Sequence, residues 1–306
     1  MKQYIARRLG LMVPLLFGIS VIVFVFIRLI PGDPAELMAS QWATKKDIEL
    51  IRHAWGLDRP LHVQYLVFLW NLARGDLGRS VVSNTPVTRE IRERYPYTIQ
   101  LAVASMAVAI AVGTAAGVIS AVRPYALTDN LSMVLALLGV STPGFWMGLM
   151  MMLLFAVILG WLPATGAGTI GHLVMPAATL GFAAAGILAR QTRSSMLDVL
   201  RQEYIFTARA KGLREAAVIG RHGLKNALIP VVTVVGLQFG TLLGGSVVIE
   251  SVFAWPGMGR LLVDAIMTRD YPVIQAAVLL FATTFAVINL AVDLLYGYLD
   301  PRIRYG

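Results

Sequence analysis

The chain contains no cysteine. That removes disulfides, thiolate metal sites and a cysteine nucleophile, without deciding the redox compartment. Charge is scarce as well: 14% of the 306 residues are Asp, Glu, Lys or Arg, where a soluble domain carries about 25%. The four histidines, His53, His62, His172 and His222, are scattered and form no metal-ligand spacing. No G-x-x-x-x-G-K-[ST] loop is present to cradle a nucleotide, and neither G-x-S-x-G nor H-E-x-x-H occurs. Basic residues are not interleaved with aromatics as a nucleic-acid surface requires. The chain is therefore expected to do no bond chemistry of its own, to bind no metal or cofactor, and to have no nucleic-acid partner.

What is abundant is apolar surface. Hydrophobic residues make up 57% of the chain and the mean hydropathy is +0.71. About 20 apolar residues are needed to cross a bilayer as a helix. Six runs approach or exceed that length: Leu9–Ile30, Thr98–Val122, Leu131–Leu159, Leu173–Ala189, Ala227–Ile249 and Val273–Leu299. The expectation is an all-α integral membrane protein with six spans. The fourth run, short and rich in Ala and Gly, is the weakest by hydropathy. MKQYIARR followed by an apolar run looks like a secretory signal, but the run is too long for a signal core of about 7–15 residues. It is read as a retained first span.

Lys and Arg in short loops set orientation. With the N-terminus in the cytoplasm, the inner segments 1–8, 123–130, 190–226 and 300–306 hold 14 Lys and Arg. The short outer loops 160–172 and 251–272 hold two, Arg260 and Arg269. Both termini are thus expected inside. The domain plan is a first span within 1–30, an extracytoplasmic subdomain over 31–94, a membrane core over 95–299 interrupted by a cytoplasmic loop at 190–226, and a tail at 300–306. In the subdomain, Lys45 to Trp70 has helical periodicity punctuated by Gly56 and Pro60. PVTREIRERYPYT reads as an interfacial helix leading into the second span.

Within the spans, small residues recur every fourth position: Gly236, Gly240 and Gly244 in the fifth, and Gly181, Ala185 and Ala189 in the fourth. Such spacing lets helix backbones approach closely in lipid, so these two helices are expected to pack tightly, on each other or on a partner subunit. Ser141-Thr142-Pro143-Gly144 predicts a kink inside the third span. Ser141, Pro143, Gln238 and Thr241 are candidates for lining a pathway. Asp293 is the acid placed well within a run; a paired structural carboxylate and a proton relay are both open readings. An ion-driven carrier usually needs several such groups.

The segment 190–226 has eight basic and three acidic residues. Val199 to Lys211 is free of Pro and Gly and helix-prone. Arg209 and Lys211 sit where cations favour the carbonyl end of a helix, Gly212 is placed to cap it, and a second helical piece is expected over Leu213 to Arg221. A loop of this length and order suits docking of a cytoplasmic partner better than simple chain reversal.

TARAKGL followed by HGLKNALIPVV resembles the EAA-type loop of type I ATP-binding-cassette importer permeases, most closely the B-type permease of the dipeptide, oligopeptide and nickel family. RLIPGDPA, GDLGRS, STPGFW, VFAWPGMGRLL, RDYPVIQ and DPRIRYG agree with it in order along the chain. The resemblance implies the type I importer transmembrane fold, in an inner membrane, with a second homologous permease, two cytoplasmic ATPases that bind ATP and magnesium, and a periplasmic solute-binding protein as partners. It implies peptides or glutathione as solute, with nickel or a nickel chelate as the alternative, and leaves an ion-coupled carrier as the reading from another class. Carried over by residue, Ala208 and Gly212 match the motif's small and glycine positions, with Arg209 and Lys211 between them, and Asn226 and Pro230 match its end. Phe206 stands where the motif's leading Glu would lie.

Overall fold

The computed structural model describes residues 2–29, 44–54 and 56–299. The tail motif at 300–306 and most of RLIPGDPA lie outside the described residues. The regular structure among them is helical, apart from one isolated bridge between Arg79 and Pro86. The chain divides into two compact units: residues 1–96 with 257–286, and residues 97–256 with 287–306.

The first unit contains α1 (Lys2–Leu29), α2 (Lys45–Ala54), α3 (Leu61–Ala73), the first turns of α4 (Val87–Val122), α10 (Met258–Met267) and the first half of α11 (Tyr271–Leu299). Gly56 takes φ +64 between α2 and α3, a left-handed conformation that favours glycine. Val23 and Ile27 of α1 meet Val87, Met258, Leu261 and Ala277 in one core. Ser20 shares a 2.8 Å hydrogen bond with the Tyr65 hydroxyl, and Phe24 packs edge-on to the Tyr65 ring at 5.1 Å. Asp270, buried, accepts a hydrogen bond from Ser80 and stands at the start of α11, where Val273 N–H lies 3.5 Å from its carboxylate.

The second unit holds the rest of α4 and α11, together with α5 (Leu127–Ser141), α6 (Gly144–Ile158), α7 (Ile170–Leu200), α8 (Glu203–Ala210) and α9 (Glu215–Val252). Here α7 is central. Of its most apolar stretch 61% is buried, against 33% or less for the other long apolar helices. This explains why its sequence is the least hydrophobic of the five long apolar helices. Lipid contact demands bulky apolar side chains, whereas a helix surrounded by helices needs small ones. A Cβ on Gly186 would stand 2.3 Å from the Ala136 carbonyl oxygen of α5, and one on Gly181 2.6 Å from the Ser105 oxygen of α4. From the other side, a Cβ on Gly113 or Gly117 of α4 would strike the Ala185 or Ala189 carbonyl of α7 at 2.7 and 2.6 Å.

Five helices are long and apolar enough to cross a membrane, and α5 with α6 makes a sixth if the bent pair is one span. Several boundaries differ from the sequence expectation. The third run does not kink mildly at Pro143; it breaks into two helices whose axes differ by 107°. Pro143 takes φ −58 and ψ 129 and starts a new helix, because it has no N–H to continue the old one. The interfacial helix and the second run form a single helix, α4, through Pro96. The fourth run ends at Leu200, not Ala189, so part of the expected loop is helix.

Candidate functional site

The segment after α7 is built from a break, a short helix and a tight turn. The helix expected over Val199 to Lys211 is interrupted. Arg201 closes α7, and Gln202 is extended at ψ 148. Then α8 runs from Glu203 to Ala210. Two of its residues face inward: Ile205, fully buried, and Ala208 pack with Val218 and Leu200. The opposite side presents Tyr204, Phe206, Arg209 and Lys211, all exposed. Phe206 shows 59% of its surface.

Gly212 ends α8 in a left-handed conformation, φ +76. Its N–H donates to the Arg209 carbonyl at 2.9 Å, and the Leu213 N–H to the Ala208 carbonyl at 3.4 Å. That pair of bonds is a Schellman closure, which satisfies the last carbonyls of the helix. Arg209 then reaches across the turn to Glu215 at 2.7 Å, and this hydrogen bond raises the guanidinium pKa above its ordinary value.

The second helical piece is not a separate element. It is the start of α9, which begins at Glu215, passes through a wide π-helical turn at Val218–Leu224 and continues as regular helix to Val252. Asn226 donates to the Tyr204 hydroxyl at 2.8 Å, tying α9 back to α8. Pro230 lies one turn further along α9 and is exposed.

The other sequence candidates are distributed over the second unit. Ser141 and Pro143 are exposed at the α5–α6 bend, and a Cβ on Gly144 would meet Ile249 of α9 at 3.6 Å. Gln238 is half-buried; Thr241 is exposed and bonds the Gln238 carbonyl on its own helix at 2.8 Å. Ile249 lies about 12 Å along α9 from Thr241 at ~1.5 Å per residue, so the two pairs stand at different depths. The small residues also divide. A Cβ on Gly236 would strike Val292 of α11 at 2.3 Å, Gly240 is buried, and Gly244 has nothing within 4 Å. Gly181 and Ala185 on α7 meet α4, and α7 also packs directly on α9 through Leu188, Val231 and Leu242. Asp293 sits half-buried on α11. Among the described residues no group of three or more His, Asp or Glu side chains stands close enough to hold a metal ion.

Two polar centres escaped the sequence reading. Asp129, 2% exposed at the start of α5, receives Arg193 of α7 through two bonds of 2.7 and 2.8 Å, the Tyr125 N–H at 2.8 Å, and the Ser120 hydroxyl of α4. One carboxylate thus joins three helices. Glu250, fully buried near the end of α9, accepts from Thr98 of α4 at 2.7 Å. Beside it, Trp255 donates its indole N–H to the Tyr97 carbonyl at 3.0 Å. The only signal in the sequence was an acid at the border of an apolar run.

Two family descriptions match the chain: the binding-protein-dependent transport system inner membrane component over residues 113–305, and the N-terminal part of the same class of membrane component over residues 1–102. The glutathione transport system permease protein GsiC of Pectobacterium atrosepticum is 52% identical over the whole of both chains, and its counterpart in Escherichia coli K12 is 50% identical over the same extent. Among solved structures, the MetNI methionine ABC transporter in an inward-facing conformation superposes with TM-score 0.60, at 20% identity, over 70% of this chain and 97% of that one. An amino acid ABC transporter gives TM-score 0.55 at 12% identity, over 69% and 94%. Both show the same fold as this chain. The chain belongs to the binding-protein-dependent transport system inner membrane components, and is a multi-pass permease subunit of a type I ABC importer of the peptide and glutathione branch.

Proposed function

We propose that this permease carries glutathione or short peptides, and that α8 is where partner ATPases drive it. Two ATPases, binding ATP and magnesium, sit on the cytoplasmic side, a second permease completes the pathway, and a periplasmic binding protein delivers the solute. The N-terminus and the 190–226 segment face the cytoplasm, consistent with where Lys and Arg collect. Full-length identity of 50% or more to glutathione permeases supports the solute class.

The observation that carries the coupling role is the two-sidedness of α8. Ile205 and Ala208 seat it on Leu200 and Val218, while Phe206 and Tyr204 stand exposed on a short helix between basic residues. An exposed Phe on a helix held by its other face is an anchor that a partner groove can take. Because α8 is fixed to α9 through Tyr204–Asn226 and Arg209–Glu215, a push on it reaches a membrane helix without an intervening flexible linker. This is rigid-element transmission.

The test uses the left-handed turn. A β-branched residue at φ +76 costs roughly 1–2 kcal/mol, while Asn tolerates that region. Gly212→Val is expected to leave insertion intact, keep basal ATP hydrolysis in the reconstituted complex, and cut solute uptake per ATP severalfold; Gly212→Asn should behave nearly as wild type. Normal uptake by Gly212→Val vesicles would sink the coupling role of this turn. No uptake of glutathione or of dipeptides by wild-type vesicles would sink the solute class.

A further inference from the structure

The first unit contains a cavity of about 440 Å³, within the size range of small-ligand pockets. Its charged lining is Arg28, His53, Arg59 and Asp76, with Gln64, Asn71 and Gln275 as amides. Arg28 is the anomaly. It sits at the end of an apolar helix, half-buried, and neither it nor Arg59 has a carboxylate within salt-bridge distance among the described residues. Buried cations are ordinarily paired.

The guanidinium is nonetheless held in place. Its carbon lies 3.4 Å above the Phe24 ring centre, a cation–π contact. Nε and Nη2 both donate to the Gln64 amide oxygen at 3.2 and 2.9 Å, and Nη1 donates to the Phe24 carbonyl at 3.2 Å. Gln64 is itself fixed, since its amide nitrogen donates to the Leu57 and Arg59 carbonyls at 3.2 and 2.8 Å. Three of the fork's N–H groups are therefore used on neutral acceptors, and the rest have no acceptor among the described residues. The other charges do not neutralise it. His53 is bonded to Asp58 at 2.7 Å, and Asp76, which accepts the Gly78 N–H at 2.9 Å, stands beyond ion-pair distance of Arg28.

The geometry points to this pocket as a binding site for the carboxylate of a small organic solute. A preorganised, desolvated guanidinium with open donors is the group that binds carboxylates best. Asn71 and Gln275 add neutral amides on the wall, and Arg59 adds a second, exposed cation. The inference rests on the solute class proposed above, since glutathione and peptides both carry carboxylates. Under the proposed orientation the first unit carries the extracytoplasmic subdomain, on the side from which the binding protein delivers the solute.

The test measures binding of reduced glutathione to the full-length chain in phosphatidylcholine nanodiscs by calorimetry. Glutathione should bind, its diethyl ester should bind at least about tenfold more weakly, and Arg28→Gln should cost a similar factor, the worth of a charge-assisted hydrogen bond. Arg28→Lys, which keeps charge without the fork, should fall between. Arg59→Ser, at an exposed position, should weaken binding severalfold with unchanged melting, which separates a binding effect from a folding defect. Equal affinity for acid and ester, or an Arg28→Gln variant that binds as wild type, overturns the site. So does a third result: no glutathione binding, but phosphatidylglycerol retained by wild type and lost by Arg28→Gln in native mass spectrometry, which makes the pocket a lipid-headgroup site. Uptake by vesicles carrying the complete importer is scored separately. Uptake by wild type with unaltered binding in Arg28→Gln removes the pocket and leaves the solute class standing.

Discussion

Gly186→Val in α7 is expected to yield a chain that inserts but does not survive extraction as a single folded species. The new Cβ would stand 2.3 Å from the Ala136 carbonyl oxygen and 2.9 Å from a Val140 methyl. The first of these is backbone, so relief requires moving α5 or α7 bodily. Moving α7 is costly because its other faces are committed: Leu188 and Ala184 to the core with α4 and α9, and Gly181 to the Ser105 carbonyl. Overpacking of this kind typically costs about 1–3 kcal/mol and occasionally more, a large share of a total stability of about 5–15 kcal/mol. Gly186→Ala should show a smaller loss of the same sign. The internal control is Gly244→Val on α9, where nothing lies within 4 Å. Its melting should match wild type for the isolated chain, and any defect should appear only on co-purification with a second permease. Thermal melting followed by size-exclusion chromatography reads both. Equal melting of Gly186→Val and wild type would refute the close approach of α5 and α7.

Asp129→Ala should be nearly as damaging, by a different route. Removing the carboxylate strands the Arg193 guanidinium and leaves the Tyr125 N–H and Ser120 hydroxyl without their acceptor. Breaking one half of a buried pair costs about 3–5 kcal/mol. Arg193 keeps 25% of its side chain exposed, so water can partly rescue it and the lower end, about 3 kcal/mol, is expected. The double variant Asp129→Leu with Arg193→Met should recover much of that stability, because two apolar groups of similar bulk leave no orphaned charge. Unfolding of wild type, Asp129→Leu, Arg193→Met and the double variant in mixed detergent micelles gives the coupling. Additive single losses, with no recovery in the double variant, would show that the pair does not join α5 to α7.

The sequence exposed the apolar runs because the helices that face lipid must carry long stretches of bulky apolar side chains. It also marked Gly212, since a glycine following a basic last turn is a local feature, and the Schellman bonds at Arg209 and Ala208 are local too. Contacts between distant residues were not visible. Asp129 and Arg193 are 64 residues apart, and Thr98 and Glu250 are 152 apart; each alone looks like a border residue of a hydrophobic segment. The α7 helix was underestimated for the reason that makes it central, its small side chains. The second cytoplasmic piece was expected to end at Arg221, before Gly223, whereas the π-helical turn runs through Gly223 and joins it to α9.

The sharp turn at Pro143 bears on parity. A chain whose pieces each cross the bilayer once alternates sides, so every segment's side depends on whether α5 and α6 together count as odd or even. If they count as one crossing, the segment bearing α8 returns to the side of the N-terminus, and the eight basic residues of 190–226 join the three of 1–8. If the pair dips in and returns, that whole segment is exported and its eight positive charges with it, against the electrostatic bias of insertion. Under the cytoplasmic orientation proposed above, the charges fifty residues downstream therefore favour a single crossing through the 107° turn, with Pro143 bending the path rather than reversing it.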